Sequence, residues 1–254
     1  MPERQRGKTI WIIGASTGIG AALARVLHKR GVNLILSARS EDKLKSLNDD
    51  LGRKHRVLPF DAGDYDAVKL TADTIQKEEV LDSVVMLAAL YEPGPIEHID
   101  IEKMRQITNV NLNANFYIVD AVLPIFQAQG GGQIALCGSV AGYRGLPGGQ
   151  PYSATKAAVM NFAESLRAEL NGNGMDIKLI SPGFVKTPLT DKNEFDMPFI
   201  IEPEEAAEEI ANGLLCSKSF EIHFPKKMTY LMKFLRIVPN WLYFKLAKKM
   251  VKEG

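Results

Sequence analysis

The chain is poor in cysteine. Of its 254 residues only Cys137 and Cys216 carry thiols, far apart and without metal-ligand spacing. A disulfide scaffold and a cysteine metal site are therefore set aside, no metal is expected, and the pattern fits a reducing compartment. No uninterrupted apolar run approaches about 18 residues, so no bilayer-spanning helix is expected. Residues 1–8 carry Glu3, Arg4, Arg6 and Lys8 and lack the apolar stretch of a secretory signal. The expectation is a cytoplasmic protein. Net charge is small, +1, which gives no global electrostatic case for nucleic acid. No Pro/Gly/Ser linker or low-complexity run divides the chain.

What is present is a regular alternation. Residues 9–14, 33–37, 55–60, 81–87, 132–138, 176–181 and 219–224 read as strands. Residues 18–30, 41–51, 65–78, 101–129, 152–170 and 203–216 read as helices, with a bend or short break expected at Pro124. Near-continuous apolar strands alternating with helices imply a parallel sheet covered on both faces. Right-handed crossovers then give an α/β, doubly wound (Rossmann) sheet of about seven strands, with its crevice at the carboxyl ends. The reading assigns residues 1–225 to this domain and 226–254 to a basic amphipathic helical tail.

The first strand runs into Gly14-Ala15-Ser16-Thr17-Gly18-Ile19-Gly20, and a helix follows at once. Glycines here let the backbone approach a pyrophosphate, and the helix start offers free N–H groups and a positive dipole end. A glycine trio alone could be a tight turn; the strand–turn–helix context makes it a dinucleotide site. The second strand ends Leu36-Ser37-Ala38-Arg39 with no acidic residue to accept from a ribose 2′-hydroxyl. Arg39 instead suits a 2′-phosphate, so NADP(H) is the expected cofactor. Asp61 and Ala62, ending the third strand, would flank the adenine.

Tyr152 and Lys156 share one helical face at i, i+4. By itself such a pair reads as a solvated face. Ser139 changes that, because it ends the fifth strand where its hydroxyl can meet a substrate oxygen beside Tyr152. An ammonium about 5 Å from the phenol would lower its pKa by about two units at an effective dielectric near 20, making Tyr152 a general acid or base.

With these residues in place, the chain resembles the short-chain dehydrogenase/reductase family over residues 8–225. The matching motifs are Gly14…Gly18-Ile19-Gly20, Asn109-Val110-Asn111-Leu112, Ser139, Tyr152-x3-Lys156 and Pro182-Gly183-Phe184-Val185-Lys186-Thr187. The resemblance implies that Tyr152 exchanges a proton with the substrate oxygen and Ser139 polarises it. Lys156 would tune Tyr152 and bind the nicotinamide ribose, and Asn111 would hold a relay water. Pro182, Gly183, Val185 and Thr187 would lie at the nicotinamide, and Ala88 beside the cofactor. It also implies a homodimer or homotetramer built on the helices near 111–129 and 152–170. Met86-Leu87-Ala88-Ala89 departs from the family's Asn-Asn-Ala-Gly, and Ile13 stands where threonine is common.

Leu189, Phe195, Met197, Pro198, Phe199 and Ile200 crowd residues 188–201, the expected substrate lid. They suit either an apolar pocket, hence a lipophilic carbonyl or alcohol substrate, or mere packing of the loop. The alternative to catalysis is a dinucleotide-binding sensor or scaffold without turnover, docked through the tail. From His223 onward eight basic residues face Glu253 alone, giving the tail +7 and the rest −6. Met228, Leu231, Met232 and Leu235 form one apolar stripe, and Tyr243, Leu246, Ala247 and Met250 another; Trp241 suits an interface. These stripes serve either a membrane surface, making the protein peripheral, or packing on the domain.

Overall fold

The burial of the first strand dictates the architecture. In the computed structural model, which describes residues 7–252 and the side chains of 7–248, β1 (Thr9–Ile13) is buried along its whole length. Trp11 and Ile13 enter the apolar cluster on one face of the sheet; Ile10 and Ile12 enter the cluster on the other. That is the two-residue alternation of a strand. A strand apolar on both faces needs helices on both.

The remaining strands are β2 (Asn33–Ser37), β3 (Arg56–Val57), β4 (Ser83–Met86), β5 (Gly132–Cys137), β6 (Met175–Pro182) and β7 (Glu221–Phe224). They form a seven-stranded sheet in the order β3-β2-β1-β4-β5-β6-β7, parallel at every pairing. The helices, in chain order, are α1 (Gly18–Lys29), α2 (Glu41–Asp50), α3 (Tyr65–Glu78), α4 (Ile101–Thr108), α5 (Ala114–Gln129), α6 (Tyr152–Glu169), α7 (Pro203–Cys216), α8 (Lys226–Ile237) and α9 (Asn240–Lys252). Helices α1, α2 and α7 cover one face; α3, α5, α6 and part of α8 cover the other. The chain runs outward through β2 and β3, then returns to pair β4 with the opposite edge of β1. The carboxyl ends of β1 and β4 therefore flank a topological switch point, where such sheets bind ligands.

Two expectations are corrected, and of the two readings left open for the tail stripes the packing one is seen. The third strand shrinks from 55–60 to Arg56–Val57, although the Leu58 and Phe60 N–H groups still donate to the Leu36 and Ala38 carbonyls at 3.0 and 3.2 Å; Pro59, between them, faces the open edge of the sheet, where proline is tolerated. The long helix does not break at Pro124, which lies inside α5. It is interrupted instead at Asn109–Asn113, which winds as a π-helix. In the tail, the expected stripes face mostly inward: Met228, Met232, Tyr243 and Ala247 are buried. Leu231 and Leu246 are exposed, while the side chains of Lys249, Met250 and Lys252 lie outside the described residues.

A histidine pair beside β3 makes stability pH-dependent. His55 Nδ1 accepts from the Leu34 N–H at 3.3 Å, so the ring proton sits on Nε2, 2.9 Å from His28 Nδ1. Burial, then the neighbouring charges of His28 and Lys54, lowers the His55 pKa from 6.5 to about 4. The unfolded chain takes up this proton near pH 6.5, while the folded chain refuses it until about pH 4. The stabilisation is thus full above pH 6.5 and lost as pH falls toward 4. Discounted for partial exposure, the loss is about 1–2 kcal/mol. Thermal melts across this window should show it, and a His55→Gln variant should show less of it. Equal acid sensitivity in both would remove His55 as the cause.

Candidate active site

Backbone sterics shape the first wall of the crevice. Gly14 has φ +94°, and a Cβ there would lie 2.6 Å from the Ala88 nitrogen, so the β1 turn lies directly against the chain leaving β4. A Cβ on Gly20 would lie 2.1 Å from the Gly14 carbonyl oxygen. Gly18, at φ +53°, faces the Thr187 methyl, which brings the Val185–Thr187 loop over the glycine turn. Thr17 is the N-cap of α1 but makes no side-chain capping bond, and the first turn holds no acidic residue. The positive end of α1 is thus left for an anion. Ser16 lies half-buried in the same turn, and Ile19 packs on the core.

The adenine side is more open. Arg39 is exposed just beyond β2 and makes no ion pair among the described residues. Asp61 is exposed and accepts from the Gly63 N–H at 2.9 Å, whereas Ala62 is buried. On the opposite wall, Pro182 ends β6 and the Gly183 N–H donates to the Phe224 carbonyl at 2.6 Å. Val185 is buried, and its carbonyl accepts from the Thr190 hydroxyl at 2.6 Å. The Thr187 N–H donates to the same Thr190 oxygen at 2.9 Å.

Between these walls the structure gathers all four expected catalytic residues. Ser139 is buried at the end of β5, and its hydroxyl accepts from the Ala141 N–H at 3.2 Å. Lys156 is buried on α6 and donates to the Cys137 carbonyl at 2.8 Å. Its Nζ lies 5.5 Å from the centroid of the Tyr152 ring. The Ser153 hydroxyl donates to the Ala141 carbonyl at 2.6 Å, fastening the start of α6 to the Ser139 loop.

Asn111 sits in the π-helix, fully buried. Its side chain accepts from the Leu90 N–H at 2.7 Å and donates to the Leu90 carbonyl at 2.8 Å. Asn115 donates to the Asn111 carbonyl at 2.8 Å. The Asn111 side chain is therefore occupied in fixing the loop after β4.

The electrostatics differ from the sequence expectation. Burial pushes the Tyr152 phenol well above its ordinary value; the Cys137 thiol adds to this, and the Ser139 hydroxyl opposes it. Burial also lowers Lys156. Desolvation outweighs the ammonium here, because Lys156 is itself desolvated and directed at a backbone carbonyl. At neutral pH the Tyr152 phenol consequently stays protonated.

Sequence reasoning missed Tyr91. Its ring meets the Tyr152 ring edge-on at 5.0 Å, and its hydroxyl donates to Asn193 Oδ1 at 2.8 Å. Lys192 donates to the Tyr91 carbonyl at 2.8 Å and pairs with Glu92 at 2.9 Å. The loop after β4 is thereby tied to the expected lid. An aromatic residue five positions beyond Met86 was the available signal, but its partners are about a hundred residues away in sequence. Cys137 was also missed as a neighbour of the reactive group.

Comparison with known proteins agrees with this geometry. The short chain dehydrogenase family model matches residues 8–197. An uncharacterised oxidoreductase of Myxococcus xanthus is 32% identical over 247 residues, covering 96% of this chain and 97% of its own length. A 3-oxoacyl-[acyl-carrier-protein] reductase of Rickettsia felis is 31% identical over 215 residues, covering 81% of this chain and 88% of its own. A short-chain dehydrogenase from Burkholderia cenocepacia, solved in complex with NADP, superposes with a TM-score of 0.83 at 22% identity, covering 95% of this chain and 98% of that one. At that identity the superposition speaks for the fold. The two halves of the crevice, the glycine turn and the Ser139/Tyr152/Lys156 group, both lie within the matched residues, and the chain belongs to the short-chain dehydrogenase/reductase family of oxidoreductases.

Proposed function

We propose that the protein is an NADP(H)-dependent oxidoreductase interconverting a carbonyl and an alcohol on a lipophilic small molecule. The observation that carries this reading is the group formed by the buried Ser139 and Lys156 and the half-buried Tyr152, in the same crevice as a glycine turn with no room for side chains at Gly14 and Gly20. The uncapped start of α1 would hold the pyrophosphate, with Gly14, Ser16, Thr17 and Ile19 around it. Arg39 would hold the 2′-phosphate, Asp61 and Ala62 the adenine side, and Ala88, Val185, Thr187 and Lys156 the nicotinamide side. Bound there, the cofactor supplies or accepts the hydride. Ser139 orients the substrate oxygen, Tyr152 holds the proton it needs, and Lys156 fixes the base of the site through the Cys137 carbonyl. Such an arrangement leaves a sensor without turnover unsupported.

The preference for NADP(H) rests on Arg39 and on structural relatives solved with NADP. A lipophilic substrate rests on the lid, where Phe195, Phe199 and Ile200 are exposed beside the crevice; carbonyl reduction is also the activity named for the Rickettsia relative. We read the outward face of α5 and α6, where Phe116 stacks on Phe162 at 4.3 Å, as a subunit interface of a homodimer or homotetramer. The test is NADPH oxidation over a panel of 3-oxoacyl thioesters, ketones, aldehydes and quinones, with NADH in parallel. Turnover on an apolar carbonyl with NADPH preferred is expected. Arg39→Ala should weaken NADPH by about 10–100-fold, as for a charge-assisted phosphate bond, and leave NADH nearly unchanged. Tighter NADH binding by the unaltered protein would overturn the cofactor assignment.

A further inference from the structure

The tail helices carry two faces, and only one is used. The inner face packs. Met228 and Met232 enter the main core, and Val238, Tyr243 and Ala247 form a smaller cluster with Leu235 and Leu242. This packing is reinforced from the loop between Ser139 and Tyr152. Arg144 donates to the Arg236 carbonyl at 3.3 Å and to Asn240 Oδ1 at 2.6 Å, and lies 4.3 Å over the Tyr243 ring. The Tyr243 hydroxyl donates to the Gly145 carbonyl. Lys233 pairs with Glu221 of β7 at 2.6 Å. Helices α8 and α9 are therefore held in a fixed pose on the domain.

The outer face is left bare. Tyr230, Phe234 and Ile237 follow i, i+4, i+7 on α8, and Phe234 and Ile237 are 60% and 76% exposed. Trp241 and Phe244 follow i, i+3 on α9, at 71% and 64%. Single exposed apolar residues need no explanation, but large side chains gathered on both helices of one element do. Lys227, Lys245 and Lys248 stand exposed among them, with no ion pair among the described residues. Lys245 and Lys248 continue the Trp241/Phe244 row at i+4 and i+7. No aspartate or glutamate occurs anywhere from Lys226 to Lys248.

We propose that this outer face docks the protein on an anionic lipid surface, with the aromatic and aliphatic side chains in the headgroup–acyl boundary and the lysines on lipid phosphates. The charge pattern selects this occupant. Two copies meeting face to face through a two-fold axis would set the same lysines against one another. A bilayer surface offers apolar depth with anions around it, which matches both components at once. No helix among the described residues is long and apolar enough to cross a membrane, so the contact is peripheral. The proposal is independent of the catalysed reaction and is tested without substrate or cofactor.

The protein carries its own reporter. It has two tryptophans; Trp11 is fully buried, so an emission change on adding vesicles reports Trp241. The full chain should sediment with phosphatidylglycerol-containing vesicles at low salt, with a blue shift, and should ignore pure phosphatidylcholine vesicles. Phe234→Ser, Ile237→Ser and Phe244→Ser combined should weaken binding at least about tenfold without altering the thermal melt, since all three are exposed. Lys227→Glu, Lys245→Glu and Lys248→Glu combined should abolish the preference for anionic vesicles. Absence of sedimentation by the unaltered protein overturns the proposal, as does undiminished binding by the apolar triple variant. A drop in its solution mass by light scattering would assign the face to a second copy instead.

Discussion

Tyr152→Phe is expected to lower turnover by at least about 10²-fold while NADPH binding is retained, the low end of what general acid–base catalysis contributes. The substitution keeps the ring and so its edge-on contact with Tyr91; only the transferable proton is removed. The raised pKa sharpens this expectation. A phenol that stays protonated through neutral pH is ready to protonate an alkoxide, so carbonyl reduction should be nearly flat between about pH 6 and 8. Alcohol oxidation needs the deprotonated form and should rise steadily with pH over the same range. Steady-state rates in both directions, with cofactor titration of the variant by fluorescence, separate the proton from the fold. Retention of most of the activity by Tyr152→Phe would place the proton donor elsewhere.

Gly20→Ala is expected to damage fold and cofactor binding together. The new Cβ would stand 2.1 Å from the Gly14 carbonyl oxygen and 2.9 Å from its carbon. Both are backbone atoms, so no rotamer change relieves the overlap. Neither side yields easily: α1 is seated in the apolar cluster through Leu23, Val26 and Leu27, and the Gly14 and Ala15 N–H groups donate to the Ser37 carbonyl at 2.8 and 3.1 Å. Overpacking of this kind costs about 1–3 kcal/mol, or roughly 2–12 °C in melting temperature for a chain of this size. NADPH should bind at least about tenfold more weakly, because the same shift moves the backbone amides of the turn. Gly94→Ala, where no atom lies within 4 Å of the added Cβ, is the control and should be silent. A Gly20→Ala protein with unchanged melting and NADPH binding would mean that the turn tolerates displacement.

What the sequence made legible follows from how local its signals are. Glycine and strand-end motifs depend on a few neighbouring residues, so the β1 turn, Ser139 and the Tyr152/Lys156 pair were readable, as was a sheet whose strands are apolar on both faces. Proline misled because its effect depends on which N–H it removes and on what faces the gap. At Pro124, on the exposed side of α5, the helix continued. The Tyr152 pKa was misjudged because spacing gives distance to Lys156 but says nothing of burial. Tyr91, Asn193 and the clasp of Arg144 on α9 join segments about a hundred residues apart, and no local pattern encodes such pairs.

The π-helix at Asn109–Asn113 carries a consequence for insertions and deletions. An i→i+5 turn accommodates one residue more than an α-helical turn, which offsets the angular phase of everything after it by about 100° relative to a continuous α-helix. Upstream, α4 sends Ile107 inward; downstream, α5 sends Ala114, Ile118 and Val122 inward. Loss of a single residue within this segment would close the wide turn into regular winding, with α4 and α5 keeping their relative orientation, and would turn Asn111 away from Leu90. Substitutions at exposed positions here should be tolerated, whereas a one-residue deletion should not, and chain length through this turn is as much a part of the active site as the side chains it carries.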